Sequence, residues 1–315
     1  MKHSQKIRSV NSKNSSDSDI GLIYGFLGVL GFSLTLPATR VAVLDLDPIW
    51  VGLGRGFVAA ILAAIALYFT RQKLPSFRQW RSLAIVSLGV VLGFPLLSAW
   101  AMQRLPAAHG AVVLGLLPLM TAIAGVFRAG DRPSRQFWVA SSIGSLTVIG
   151  FGIFSGAGHL QPADLALLIA VVVAAFGYAE GGQLAKTLGG WQVISWALVL
   201  AAPVEILPMI VSTSQHGLTA SPAAWLGFAY VSVVSQFIAF FAWYHGLAKG
   251  GVARVGQIQL LQPFLTLIAS VLLLSETITP VTMGAACIVV ASVAVGRRSP
   301  IKRVSHCSTS PSSDS

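Results

Sequence analysis

The chain has 315 residues, of which 55% are hydrophobic and only 10% charged, against about a quarter charged in soluble domains. That composition excludes an ordinary water-soluble fold. Its formal charge of +11 would suit a nucleic-acid partner if the Lys and Arg formed a patch interleaved with aromatics, but they fall between the apolar runs, so no nucleic acid is expected.

Residues 1–19 are polar and rich in Ser and Asn, and they read as a disordered tail. The run behind them is long and lacks a small-residue cleavage site, so it reads as a retained helix. From there the apolar runs predict ten transmembrane helices over 20–40, 48–70, 81–103, 106–128, 136–155, 163–185, 191–212, 223–246, 250–274 and 278–297. Each holds about 20 residues, enough to cover the hydrocarbon core at about 1.5 Å per residue. The connections are short and marked by Pro, Gly or charge, as at Asp47-Pro48, Lys73-Leu74-Pro75, Asp131-Arg132-Pro133 and Gln161-Pro162. Residues 298–315 form a second Ser-rich tail.

With ten spans and the amino terminus inside, eighteen of the 21 Lys and Arg fall in inside segments. Arg40 and Arg104 fall outside and Arg55 within a span. Because Lys and Arg collect in cytoplasmic loops, the bias puts both termini in the cytoplasm; the membrane expected is a bacterial-type inner membrane.

An internal repeat divides the chain into halves, 20–155 and 163–297. Residues 118–127, PLMTAIAGVF, match 263–272, PFLTLIASVL, at five positions with a constant offset of 145: Pro118/Pro263, Thr121/Thr266, Ile123/Ile268, Ala124/Ala269 and Val126/Val271. The same offset pairs Arg104 with Lys249, Ala108 with Ala253 and Asp131 with Glu276. It spans five helices, an odd number, so the second half is expected upside down relative to the first. Such inverted repeats let a carrier expose one central site to each side in turn.

The Ala-rich fourth and ninth spans with central Pro118 and Pro263, the acidic residue thirteen positions after each, and Arg55 early in the second span carry a resemblance. The chain resembles the drug/metabolite transporter superfamily, in particular its ten-helix group with two EamA-type halves. The resemblance covers about residues 20–297. It implies an all-α transmembrane fold and export of amino acids, other metabolites or drugs.

Few residues can carry chemistry inside the bilayer, where a charge costs about 2.5–3.5 kcal/mol on insertion scales. Arg55 lies about 10 Å below Pro48 along its helix and either binds a substrate carboxylate or holds a cluster of carbonyls. Glu180 is flanked by Gly177, Gly181 and Gly182, whose size would bury the carboxylate against protein; that suits a proton-coupling or ammonium-binding residue, the alternative being a pair with Lys186 near the cytoplasmic surface. Glu205, between Pro203 and Pro208, is expected at the outer interface with its carboxylate among headgroups.

Neutral groups offer more. Gln259, Gln262, Thr266 and Ser270 fall at steps of 3, 4 and 4 and form one polar stripe around a kink at Pro263, and Pro118 predicts a matching kink. Ser232, Gln236 and Trp243 form a second stripe. These stripes suit a polar cavity, to which Tyr178 could add; helix-to-helix hydrogen bonds are the alternative. His109 and His245 each look solitary, as interfacial histidines do. Gly21/Gly25, Gly52/Gly56 and Gly177/Gly181 are spaced for close helix crossing. Cys287 and Cys307 make neither a disulfide framework nor a metal set, and no phosphate loop, zinc motif or nucleophile elbow occurs. No cofactor, metal, enzymatic activity or ATP-driven pumping is therefore expected.

The expectation is a secondary carrier that exports amino acids or similar small polar metabolites by alternating access. Arg55 and Glu180 would supply opposite charges to the substrate, or Glu180 would carry a proton, with Gln236, Gln259 and Gln262 hydrogen-bonding nearby. Its partners would be a small-molecule substrate, the lipid bilayer and protons. Export of hydrophobic or cationic drugs is the alternative if Glu180 faces an aromatic cavity with Tyr178 and Trp243. A membrane scaffold or a membrane-embedded enzyme are alternatives from other classes.

Overall fold

A backbone in lipid must satisfy its own amides and carbonyls, which restricts a chain of this composition to helices or a closed barrel. The computed structural model is helical and describes residues 19–129, 132–133, 135–155, 160–250, 255–298 and 301–302. The predicted tails lie outside these residues except for Asp19, Arg298 and 301–302, as do Asp131 and Ala253. The helices are α1 (Asp19–Ala42), α2 (Pro48–Phe69), α3 (Phe77–Met102), α4 (Ala107–Phe127), α5 (Arg135–Ser155), α6 (Pro162–Leu188), α7 (Gly190–His216), α8 (Pro222–Gly250), α9 (Ile258–Leu274) and α10 (Pro280–Arg298). A two-residue antiparallel pairing joins Arg132–Pro133 to Ile301–Lys302.

Local chemistry sets the helix starts. Pro48 stands at the start of α2, where its missing amide costs nothing, and the Asp47 carboxylate before it accepts from the amides of Ile49 at 3.0 Å and Trp50 at 3.2 Å. Pro162 and Pro222 open α6 and α8 in the same way. Ser221 caps α8 by accepting from the Ala224 amide, and Gln161 is tied to Asp164 in a reciprocal cap on α6. A single residue, Gly189, joins α6 to α7 with φ at 98°, a left-handed conformation that suits glycine.

Among the described residues, eight helices are long and apolar enough to cross a membrane. The spans expected over 250–274 and 278–297 are shorter here: their apolar stretches run over Ile258–Leu274 and Pro280–Val295. For α9 the reason is local, because Gly256–Leu261 winds as a 3-10 helix before the α-helix begins at Gln262.

The halves contact each other in exchanged pairs. Helix α1 packs on α8 and α9, and α6, five helices later, packs on α3 and α4. The remaining equivalent pairs pack on one another, α2 on α7 and α5 on α10. Small residues permit the crossings. A β-carbon on Gly21 would sit 2.5 Å from the Gly250 amide nitrogen, and one on Gly246 would sit 2.7 Å from that of Gly25, so α1 and α8 touch backbone to backbone. At the counterpart crossing of α3 and α6, a β-carbon on Gly89 would come within 3.1 Å of Gly177.

Four helices depart from regular α geometry at their centres, in matching places. Helix α3 turns π-helical over Ser87–Gly93 and α8 over Tyr230–Ile238; adding 145 to the first segment gives 232–238. Helix α4 breaks at Gly115–Leu116, just before Pro118, and α9 changes from 3-10 to α at Gln262, just before Pro263. Helix α1 breaks at Leu34. There Pro37 has no amide for the Ser33 carbonyl four residues earlier, and the Thr266 hydroxyl of α9 donates to that carbonyl at 2.8 Å.

Candidate substrate site

The irregular segments converge on Arg55. Helix α2 carries this guanidinium into the interior, where it is 2% exposed. Its Nη2 donates to Ser235 Oγ at 3.0 Å, and Ser235 shares a 2.7 Å hydroxyl hydrogen bond with Thr35. Ser235 belongs to the π segment of α8 and Thr35 follows the break in α1, so the cation is anchored by the two departures from α geometry. Arg55 Nε and Nη1 make no hydrogen bond among the described residues. Buried donors on a charged group rarely go unused, which leaves Arg55 able to bind an anion.

Gln236, the next residue on α8, donates from Nε2 to the Val90 carbonyl at 3.0 Å. In the π register of α3, where the Phe94 amide bonds to Gly89, the amide due to Val90 would be that of residue 95, and Pro95 has none. The Oε1 atoms of Gln236 and Gln262 are buried and without a hydrogen bond among the described residues. Both glutamines line one cavity with Arg55, Tyr178, Thr35 and Ser235, and Phe32, Phe94 and Phe240 complete its wall. Its volume is about 10 Å³, enough for about one water molecule. The helices are therefore closed over the site in this structure.

Of the residues singled out in the sequence, Arg55, Tyr178, Gln236 and Gln262 share this cavity, and the rest do not line it. Trp243 lies behind it, fully buried, with its ring 5.5 Å from Tyr178 and 6.2 Å from Phe32. Gln259 is buried with neither amide atom bonded among the described residues. Thr266 is committed to the Ser33 carbonyl of α1 and Ser270 to the Thr266 carbonyl of its own helix, so Thr266 ties two helices together and Ser270 bonds back within α9.

Glu180 is 5% exposed but opens elsewhere, onto a space of about 640 Å³ that it shares with Arg78, Arg81, Ser82 and Gln183. Arg55 and Glu180 therefore line different spaces in this structure. Lys186 donates to Gln183 at 2.9 Å.

Glu205 also departs from expectation. Instead of reaching headgroups, its carboxyl is fully buried against Gly56 and is without a hydrogen bond among the described residues. The reason is the close packing of α7 on α2, which turns this face of α7 inward. Nor is His109 solitary. Its Nε2 lies 2.6 Å from Asp164 Oδ1 in a buried pair, formed because α6 starts beside α4.

The acidic Glu276 has a clear structural role: its two carboxylate oxygens accept from the amides of Ala107 at 2.9 Å and Ala108 at 2.8 Å. It thus caps the amino-terminal end of α4, where the helix dipole favours negative charge. Sequence reasoning missed Ser235, Thr35, Asp164 and the burial of Glu205. The prolines at 37 and 95 were the only signal for the displaced carbonyls, and none marked the partners.

An all-helical, lipid-compatible bundle of two similar halves around a buried cation defines a multi-pass membrane transporter. The EamA-like transporter family profile matches residues 19–153 and again 161–296, and the chain belongs to that family, within the drug/metabolite transporter superfamily. It is similar to "Uncharacterized transporter YdeK" of Bacillus subtilis (strain 168), with 46% identity over 278 residues covering 88% of this chain and 97% of that protein. It is also similar to "Probable terminal-alkyne amino-acid exporter" of Streptantibioticus cattleyicolor, with 23% identity over 287 residues covering 90% of this chain and 95% of that one. A protein of known crystal structure superposes with a TM-score of 0.61 at 18% identity, covering 87% of this chain and 95% of that one, which shows the shared fold.

Proposed function

We propose that this protein is a secondary carrier of a bacterial inner membrane that exports amino acids or similar small polar metabolites by alternating access. The observation that carries the reading is Arg55: a buried guanidinium with two nitrogens unbonded among the described residues, in one cavity with Gln236 and Gln262, whose Oε1 atoms are likewise unbonded among them. Guanidinium donors suit a carboxylate, and amide oxygens suit an ammonium group. The relative named as an amino-acid exporter supports the same substrate class.

In this reading all ten helices cross the bilayer, both termini are cytoplasmic, and the halves 20–155 and 163–297 are inverted. The exchanged packing of α1 on α8 and α9 and of α6 on α3 and α4 supports a two-fold relation between them. With that orientation the space lined by Glu180, Arg78 and Arg81 is the cytoplasmic approach, and Glu180 meets the ammonium group there. Gln259 and Trp243 come into contact with substrate when the cavity opens, and Pro118 and Pro263 are the pivots. The driving force is a proton gradient.

A second reading is favoured by the rings of Phe32, Tyr178, Phe240 and Trp243 around the cavity: export of a lipophilic cation. It lacks a carboxylate in that cavity, because Glu180 opens elsewhere. Uptake into inside-out vesicles separates the two. Gradient-driven uptake of an amino acid that Arg55→Lys reduces and Arg55→Ala abolishes is the expected result; uptake of tetraphenylphosphonium and of no amino acid would transfer the assignment to the second reading.

A further inference from the structure

Glu205 is a buried acid that the substrate cavity does not use. It lies on α7, two residues after Pro203 and three before Pro208, both inside the helix. Its residue is fully buried, and neither carboxyl oxygen has a hydrogen bond among the described residues. Oε1 presses so closely on Gly56 that no β-carbon would fit there, and Val91, from the π segment of α3, closes the same spot. On the helices packed against α7, Arg55 turns to Ser235, Tyr230 donates to the Gly31 carbonyl, Tyr244 to the Gly177 carbonyl, and Asp164 pairs with His109. Glu180, Arg78 and Arg81 line their own opening, and His245 lies against Tyr24.

A carboxylate in such a place would be a buried charge with neither hydrogen bond nor counter-ion among the described residues, which costs several kcal/mol. The neutral acid fits. Ionisation therefore requires water to reach the carboxyl, and water can reach it only if α7 separates from Gly56 of α2. These two helices are equivalents in the two halves and pack on one another along their length. The prolines on either side of Glu205 each remove a helix hydrogen bond and make α7 bendable at this point.

We propose that Glu205 is the proton-carrying group of the transporter: it holds a proton while α2 and α7 are closed and exchanges it with water when they part. The step converts a carboxylic acid to a carboxylate and a proton and makes no other bond. The transport arm rests on the reading of the protein as a proton-driven amino-acid carrier; the protonation arm does not.

The test uses the full chain in proteoliposomes. Infrared difference spectra across pH are expected to show the carbonyl band of a protonated carboxyl that is lost at high pH, is absent at every pH in Glu205→Gln, shifts in Glu205→Asp and persists in Glu180→Gln. Amino-acid accumulation driven by a pH gradient is expected to vanish in Glu205→Gln, while counterflow of the same amino acid stays measurable. A band that Glu205→Gln leaves in place, a band that never titrates, or gradient-driven accumulation that survives Glu205→Gln overturns the proposal. If the wild type carries no amino acid, the substrate reading falls and the titrating band alone decides the role of Glu205.

Discussion

The side-chain amide of Gln236 on α8 donates to the main-chain carbonyl of Val90 on α3 at 3.0 Å, and both residues lie in π segments at equivalent places in the two halves. The bond replaces the helix partner that Pro95 cannot supply. Gln236→Leu leaves the carbonyl buried and unpaired, at an expected cost of about 1–3 kcal/mol, measured as a lower thermal unfolding midpoint in nanodiscs. In a Pro95→Ala background, where an amide becomes available to Val90, the same substitution should cost less, and a double-mutant cycle reads the difference. Equal costs in both backgrounds would show that the carbonyl does not depend on Gln236.

Among the described residues, Arg55 is anchored through one nitrogen, Nη2. Arg55→Lys keeps the charge but loses the planar fork of donors, so amino-acid uptake should fall about tenfold or more, which corresponds to about 1.4 kcal/mol, chiefly through a higher KM. Ser235→Ala removes the anchor and should cost about 1 kcal/mol of stability with a smaller loss of uptake. Uptake at several substrate concentrations, alongside thermal unfolding, separates binding from folding.

Glu276 closes the end of α4 with two backbone hydrogen bonds. Glu276→Ala should destabilise the fold by about 0.5–2 kcal/mol, with faster hydrogen exchange at the start of α4. Unchanged exchange there would remove the cap from the account.

The crossing of α1 and α8 has no room for side chains at Gly21 and Gly246. Gly21→Val or Gly246→Val should force the helices apart at a cost of about 1–3 kcal/mol. Gly125, around which nothing lies within 4 Å, accepts Ala as the control. Thermal unfolding of the three variants tests the contrast.

Asp45, in the α1–α2 connection, accepts from the Ser221 amide at 2.9 Å, and hydrogen bonds from Ser221 hold its carboxyl below the usual value of 3.8. A lowered folded-state pKa means a stabilising contribution that is complete above the unfolded value and is lost as pH falls through the folded one. Hydrogen exchange of the segment before α8 should therefore quicken only at strongly acid pH in the wild type. In Asp45→Asn that acid-dependent increase should be missing.

What the sequence alone determined follows from short-range rules. Composition required a membrane solvent, the prolines after Asp47 and Gln161 marked connections between spans, and the offset of 145 made two similar halves, whose helices contact in exchanged pairs. Arg55 stood out as a charge in an apolar run, and the structure places it beside Gln236, Gln262 and Tyr178. Depth along a helix can be counted in residues. The face a residue turns toward another helix cannot, since it depends on how distant helices cross.

Only the tertiary structure could therefore separate Glu180 from Arg55, turn Glu205 onto Gly56 instead of outward, and bring Asp164 to His109. Pro37 and Pro95 withhold amides from the carbonyls of Ser33 and Val90, and Thr266 and Gln236, which satisfy them, lie 233 and 146 residues away from the acceptors they meet. A single sequence holds no local trace of such a partner, because packing between the two halves selects it.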